Sequence, residues 1–419
     1  MKNSDYHLKV KFLGPIHEGF TSNDGFFPLS KLNVFIGEQG SGKSTIVKLV
    51  STLLWLEKAF VREEQNYKSF NTKDLLNLCH NQRIDSYFSK KTYFSFVGDV
   101  FTLEYSNSEF VVTKTDELHT YKSKKIMYIP SERNFISVVE DAENKTGLPY
   151  TIINTLEEFL KASKVLEQNK VKLPLNGYEY FYDKTNKTGF IHDQITGSTV
   201  KLSESSSGLQ SFVPVFIISN YLANNVIHDF FDNLKNFSLS DRNKAENIIT
   251  DFYKNDIDEE KSSIIQKLKR FYQSGLINEF SDYDKNTLKT LLCSLLNVCF
   301  YNIIEEPEQN LFPASQIKVV ETLIKAMNVS VNNSLFITTH SPYILSAVNN
   351  FLFAKSSQNE YVKSKIPNDL WVSPEDCCAY QLKDGRIESI FDEELGMIDT
   401  TIIDDCATLL NEQYDKISE

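Results

Sequence analysis

At 419 residues, with 41% hydrophobic and 24% charged side chains, the chain has the composition of an ordinary folded protein able to bury a substantial core. Its net charge of −12 excludes a surface that attracts nucleic acid everywhere, although a local basic groove stays open. No stretch reaches the length of a membrane span, and MKNSDYHLKVKFLG at the start carries no apolar signal core, so the expectation is a cytoplasmic protein with no membrane partner.

Alternation in HLKVKFLGPI and the run LNVFI predict a small β layer leading into VFIGEQGSGKSTI, residues 34–46. That stretch fits G-x-x-x-x-G-K-[ST] over Gly37, Glu38, Gln39, Gly40, Ser41, Gly42, Lys43 and Ser44, with Thr45 following, between an apolar strand and a helix-like run. Glycines there let successive N–H groups turn onto phosphate, and a helix starting near Gly42 adds its positive end. Lys43 can reach the β and γ oxygens, and Ser44 can ligate Mg²⁺. A helix over residues 45–68 should follow, with its charged EKAFVREEQNYK end read as a solvated face. Strands are predicted in TYFSFVGDVFTLEYSN, EFVVTK and KKIMYIP; Arg133 of YIPSER reads first as a surface arginine, with a contact to the nucleotide or a partner as the alternative.

From residue 134 to about 201 the pattern is helix and loop, with β-like pieces at YEYFYD and TGFIHD. LSESSSGLQS then opens the apolar run FVPVFIISNYL, with Pro214 early in the expected helix. Residues 223–287 read as an inserted helical element, because Phe, Ile and Leu recur at helical intervals. A hairpin turning at Asp384-Gly385 and an acidic helical tail containing Asp404 and Asp405 close the chain. The cysteines (Cys79, Cys293, Cys299, Cys377, Cys378, Cys406) have no zinc spacing and read as reduced thiols, with Cys377 inward and Cys378 outward on a strand or the reverse.

Two further phrases carry chemistry. In VCFYNIIEEPEQNLFP a strand runs directly into Glu305 and Glu306; the first can hold Mg²⁺ through its water shell, and the second can orient or deprotonate an attacking water. In SLFITTHSPYIL, His340 ends a β-rich run and could meet a γ-phosphate if that strand lies beside the phosphate-loop strand. Either phrase alone would be an acidic strand cap or a structural histidine; together with the phosphate loop they become a site.

The three phrases together resemble the ATP-binding-cassette head of SMC-like and OLD-family ATPases, over about residues 8–346. The resemblance implies an α/β P-loop NTPase head with a helical lobe and a helical insertion. Its parts would be residues 1–133 (first part of the head), 134–290 (helical lobe and insertion) and 291–419 (second part of the head). It also implies a Walker A loop at 37–45, a Walker B strand ending at Glu305 and Glu306, and His340 as the switch histidine. Ser207 and Gly208 would form a degenerate signature motif contributed to a partner's nucleotide. The Q-loop glutamine is not placed; Gln82 is a candidate by order only. Implied cofactors are ATP and Mg²⁺, and the implied assembly is a homodimer or larger homo-oligomer. The region after His340 is too short for the Toprim nuclease of OLD proteins, so an effector nuclease would be a separate chain, as with the ATPases of bacterial anti-phage systems. Two alternatives stay open: an SMC-like clamp acting on DNA, and a nucleotide-locked scaffold without turnover.

Overall fold

The computed structural model describes residues 6–115, 121–139, 147–166, 169–175, 177–253 and 258–401, with single positions 413 and 416. Asp404, Asp405 and Cys406 of the acidic tail lie outside the described residues.

Five parallel strands make up a seven-stranded sheet from one edge inward: Lys124–Ile129, Cys299–Glu305, Ser334–Thr339, Leu32–Gly37 and Cys377–Lys383, side by side in that order. Arg386–Ser389 returns antiparallel to the last of them, and Gly19–Phe20 completes that edge. The strands are apolar almost throughout because both faces are covered. Val34, Ile36, Ile304 and Ile337 enter one core, and the intervening Phe35, Ile303 and Phe336 enter the other. The same alternation corrects the expectation for the adjacent cysteines: Cys377 and Cys378 do point to opposite faces, yet both are fully buried, because neither face is open to solvent.

The hairpin turns at Asp384 and Gly385, both at positive φ (51° and 77°) as a tight two-residue turn requires. It is part of the central sheet, not an appendage. A Cβ on Gly37 would stand 2.3 Å from the Leu382 carbonyl oxygen, so strand and phosphate loop approach as only glycine allows.

On one side of the sheet, helix Lys43–Val61 shares a core with a five-stranded antiparallel sheet, ordered Phe27–Leu29, Tyr6–Lys11, Tyr93–Val97, Phe101–Ser106 and Glu109–Lys114. The helix stops at Val61, short of the expected 68, and Glu63 takes a positive φ of 58° just beyond it. Its charged end is solvated only in part: Glu63, Glu64, Gln65, Asn66 and Lys68 are exposed, but Glu57 is fully buried and Lys58 nearly so. Glu57 Oε1 accepts from the Val100 (2.8 Å) and Phe101 (3.2 Å) N–H groups, and Lys58 Nζ donates to the Lys124 carbonyl (3.2 Å). These two side chains serve backbone atoms that the tight turn at 98–101 and the neighbouring strand present to the interior.

On the opposite side pack helices Tyr150–Leu166, Pro313–Asn328 and Pro342–Ser356 and the first part of Ser207–Lys235. YEYFYD and TGFIHD are the central strands of a second antiparallel sheet, Tyr178–Asp183 and Thr188–Asp193, which leads into helix Ser207–Lys235. The far part of that helix, with Leu239–Phe252, Asp258–Ser274 and Asp282–Leu291, has a core of its own around Leu234, Ile249, Leu268, Phe271 and Leu288. Strands of the central sheet come from both before and after this helical element, so the two outer parts of the chain build one sheet.

Candidate nucleotide site

All five parallel strands end at the same edge, and the loops that leave it carry the chemistry. The phosphate loop follows Leu32–Gly37, with Gly37, Gly40 and Gly42 at φ 156°, 79° and 104°, and helix Lys43–Val61 begins directly behind it. Glu38, Gln39 and Gly40 are exposed, and nothing stands within 4 Å of a Cβ built on Gly40, so the loop is open to a ligand. Lys43 is buried and its Nζ donates to the loop's own Gly37 (2.8 Å) and Glu38 (2.9 Å) carbonyls. Burial pulls this ammonium below its ordinary value, against the opposing pull of Glu306, Glu308 and Glu305. Ser44 is half-buried beside it, and Thr45 faces the core. The Ser41 hydroxyl is buried with no hydrogen-bond partner among the described residues.

The acids sit two strands away, across Ser334–Thr339. Glu305 is buried; one carboxylate oxygen accepts from the Ser131 N–H (3.3 Å), and the other has no partner among the described residues. Burial and the neighbouring Glu305 charge push the Tyr128 phenol well above its ordinary value. Glu306 turns out of the strand at φ 43°, a left-handed conformation costing about 1–3 kcal/mol for a residue with a side chain. Its N–H donates to the Thr338 carbonyl (2.9 Å), and its carboxylate lies 3.5 Å from His340 Nε2. His340, and then Lys43 and Arg133, hold the Glu306 carboxyl below the usual range, against its partial burial. His340 is itself positioned through its backbone: Glu308 Oε1 accepts from the His340 N–H (2.7 Å) and the Thr339 hydroxyl (2.8 Å). Ser341 then caps the next helix, accepting from the Tyr343 and Ile344 N–H groups, with Pro342 at its first position.

The structure therefore brings Lys43, Glu305, Glu306 and His340 to one edge. Ser207 and Gly208 stand at the start of helix Ser207–Lys235, with Ser206 as its cap. Ser206 and Ser207 are exposed, and a Cβ on Gly208 would stand 2.8 Å from the Asn310 carbonyl. Among the described residues the contacts of this tip run to the loop after the acids, not to the phosphate loop.

Arg133 corrects the sequence reading most sharply. It is fully buried, with Nε donating to the Ser211 carbonyl (3.0 Å), Nη1 to Glu305 (2.6 Å) and Pro130 (3.3 Å), and Nη2 to Glu306 (2.7 Å). Gln82 ends helix Thr72–Asn81; the polar groups that reach Glu305 come instead from Ser131 and Arg133.

The residues fit a Mg²⁺–nucleotide. Ser44 and the unpartnered oxygen of Glu305 are the groups that would hold the ion, with phosphate and water completing its shell, the usual arrangement for Mg²⁺.

No protein-family model matches the sequence, and no curated protein does. Among solved structures, the chain aligns with an SMC head domain from Thermotoga maritima at 10% identity and a TM-score of 0.38, covering 93% of this chain and 98% of that one. It aligns with an SMC head bound to the C-terminal winged-helix domain of ScpA at 10% identity and 0.36, covering 93% and 99%. UvrA2 from Deinococcus radiodurans aligns at 12% identity and 0.23, covering 83% of this chain and 35% of that one. Identities and scores of this order carry nothing about activity, substrate or partner. No helix among the described residues is long and apolar enough to cross a membrane.

Proposed function

We propose that this chain binds and hydrolyses ATP, and that ATP joins two copies whose separation follows hydrolysis. The observation that carries the reading is the convergence of a buried lysine, an incompletely partnered buried glutamate and a glutamate–histidine pair on one sheet edge. Lys43 exchanges its two loop carbonyls for phosphate oxygens, while the loop N–H groups and the helix behind them hold the remaining phosphate charge. Glu306, kept ionised by His340, orients the attacking water and takes its proton. Mg²⁺, held by Ser44 and Glu305, would offset the charge that develops on the phosphate oxygens.

Ser206, Ser207 and Gly208 offer unpaired helix N–H groups on an exposed tip, the chemistry of a γ-phosphate contact with a second copy. Such an assembly is a switch, and the resemblance to anti-phage ATPases favours a separate effector, a nuclease, as what it controls. The decisive experiment measures mass by light scattering with and without ATP, using wild type and Glu306→Gln. ATP-dependent doubling that persists in the glutamine variant and is lost in Lys43→Ala supports the reading; a monomer under all conditions overturns it. Salt-sensitive DNA binding by the isolated chain would favour direct action on DNA instead.

A further inference from the structure

We propose that Arg133 is a positioning residue for Glu306 and ties it to the exposed tip of helix Ser207–Lys235; the proposal rests on the hydrolytic reading above. A fully buried guanidinium normally faces a carboxylate. Here its four hydrogen bonds among the described residues go to backbone carbonyls, on three segments far apart in the chain. The nearby carboxylates are engaged elsewhere: Glu305 with the Ser131 N–H, Glu306 with His340, and Glu308 with Thr339 and the His340 N–H. The arginine therefore grips the backbone of the acids and leaves their charged ends free for the site. Its charge is compensated at longer range by those same acids, which oppose the downward pull of burial.

The geometry asks for arginine in particular. Carbonyls on the strand end at Glu305 and Glu306, on the loop at Pro130 and on the helix at Ser211 are met by one planar fork; a lysine's single nitrogen could not reach them all. Glu306 needs such a hold, because its positive φ persists only where its surroundings over-determine it. Ser211 is the junction with the tip. Its carbonyl takes Arg133 Nε, its hydroxyl takes Asn310 Nδ2 (3.1 Å), and it lies one helical turn from Ser207 and Gly208. Nearby Pro214 has no N–H for the Gln210 carbonyl, which loosens the helix ladder at this turn. A shift of the tip on meeting a second copy's nucleotide thus reaches Glu306 of the same chain through a single side chain.

The test compares wild type, Arg133→Lys and Arg133→Met in three measurements: affinity for a fluorescent ATP analogue, steady-state phosphate release, and hydrogen exchange by mass spectrometry. For Arg133→Lys the expectation is nucleotide affinity within about threefold of wild type and kcat lower by about 10²-fold, the cost of a misplaced catalytic group. Exchange over residues 303–309 and 207–213 should accelerate by about tenfold in both variants, with residues 37–46 unchanged. Turnover of Arg133→Lys within about threefold of wild type, or unchanged exchange over 303–309, overturns the proposal. Equal losses of affinity, turnover and protection over 37–46 would mark a general packing role and also overturn it. If wild type binds ATP without hydrolysing it, the hydrolytic reading fails, and the exchange measurement still decides whether Arg133 holds Glu306 to the tip.

Discussion

Glu306→Gln removes one charge at the centre of the site and leaves the shape nearly intact. The backbone of residue 306 is held by Arg133 and Thr338, not by its own side chain, so the positive φ survives the substitution. The stability change should stay within about 1 kcal/mol, as for other half-exposed positions without a buried partner. What is lost is the charge and basicity of the carboxylate beside His340 Nε2 at 3.5 Å. Removing a positioned general base costs about 10²- to 10⁴-fold in turnover, which is about 3 to 5 kcal/mol of barrier. Nucleotide affinity should hold or rise, because one negative charge near the triphosphate has gone. The assay is single-turnover phosphate release under saturating ATP, with retention of ATP followed by gel filtration. The acid limb of wild-type turnover supplies an independent check on Glu306. Its depressed carboxyl stays ionised at and somewhat below its ordinary value of 4.5, so any function tied to that charge is complete above that pH and lost only as pH falls through the lower folded value. A glutamine variant that hydrolyses ATP within about threefold of wild type would refute the assignment.

Lys43→Ala should weaken nucleotide binding by at least about 10²-fold, since two charge-assisted hydrogen bonds of about 1.5–3 kcal/mol each are lost to phosphate; isothermal titration with a non-hydrolysable ATP analogue checks it. Gly208→Ala places a methyl 2.8 Å from the Asn310 carbonyl, and light scattering should show ATP-driven association lost while monomer binding of nucleotide persists. Glu57→Gln addresses the far end of the phosphate-loop helix, where burial raises the carboxyl to about 7. A raised acid contributes its stability below the unfolded value of 4.5 and loses it as pH climbs through the folded value. Urea unfolding from pH 5 to pH 8 should therefore show the wild type losing stability relative to the glutamine variant as pH rises; parallel curves would refute the raised carboxyl.

The phosphate loop, the acidic strand end and the Thr-His-Ser-Pro turn were legible because each packs its chemistry into a few consecutive residues on a fixed backbone. Gly37, Gly40 and Gly42 have positive φ, as the spacing required, and the strand-to-Glu305 step appears where the apolar run stops. The hairpin at Asp384-Gly385 was equally local. What misled was inference about exposure. Glu57 and Lys58 look like a solvated face in one dimension, yet Glu57 is covered by the turn into the antiparallel sheet and Lys58 by the edge strand of the central one. Cys377 and Cys378 alternate as expected, but alternation implies an exposed member only where one sheet face is open, and here neither is.

Arg133 shows where local reading ends in principle. Its partners are 3, 78, 172 and 173 positions away, and every one is a carbonyl, the one acceptor that each residue carries whatever its side chain. No pattern of side-chain types can encode such a contact. The sequence signal available was indirect: a cation directly after a strand, YIP into SER, in a chain whose acids also follow directly on a strand. Once Lys124–Ile129 is placed next to Cys299–Glu305, two strand ends face the same edge, and a cation leaving one must either meet the acids leaving the other or turn away from them. It meets them by the backbone, which leaves one oxygen of Glu305 unpartnered and Glu306 directed at His340. An arginine that neutralised either carboxylate directly would have disabled the site it now holds together.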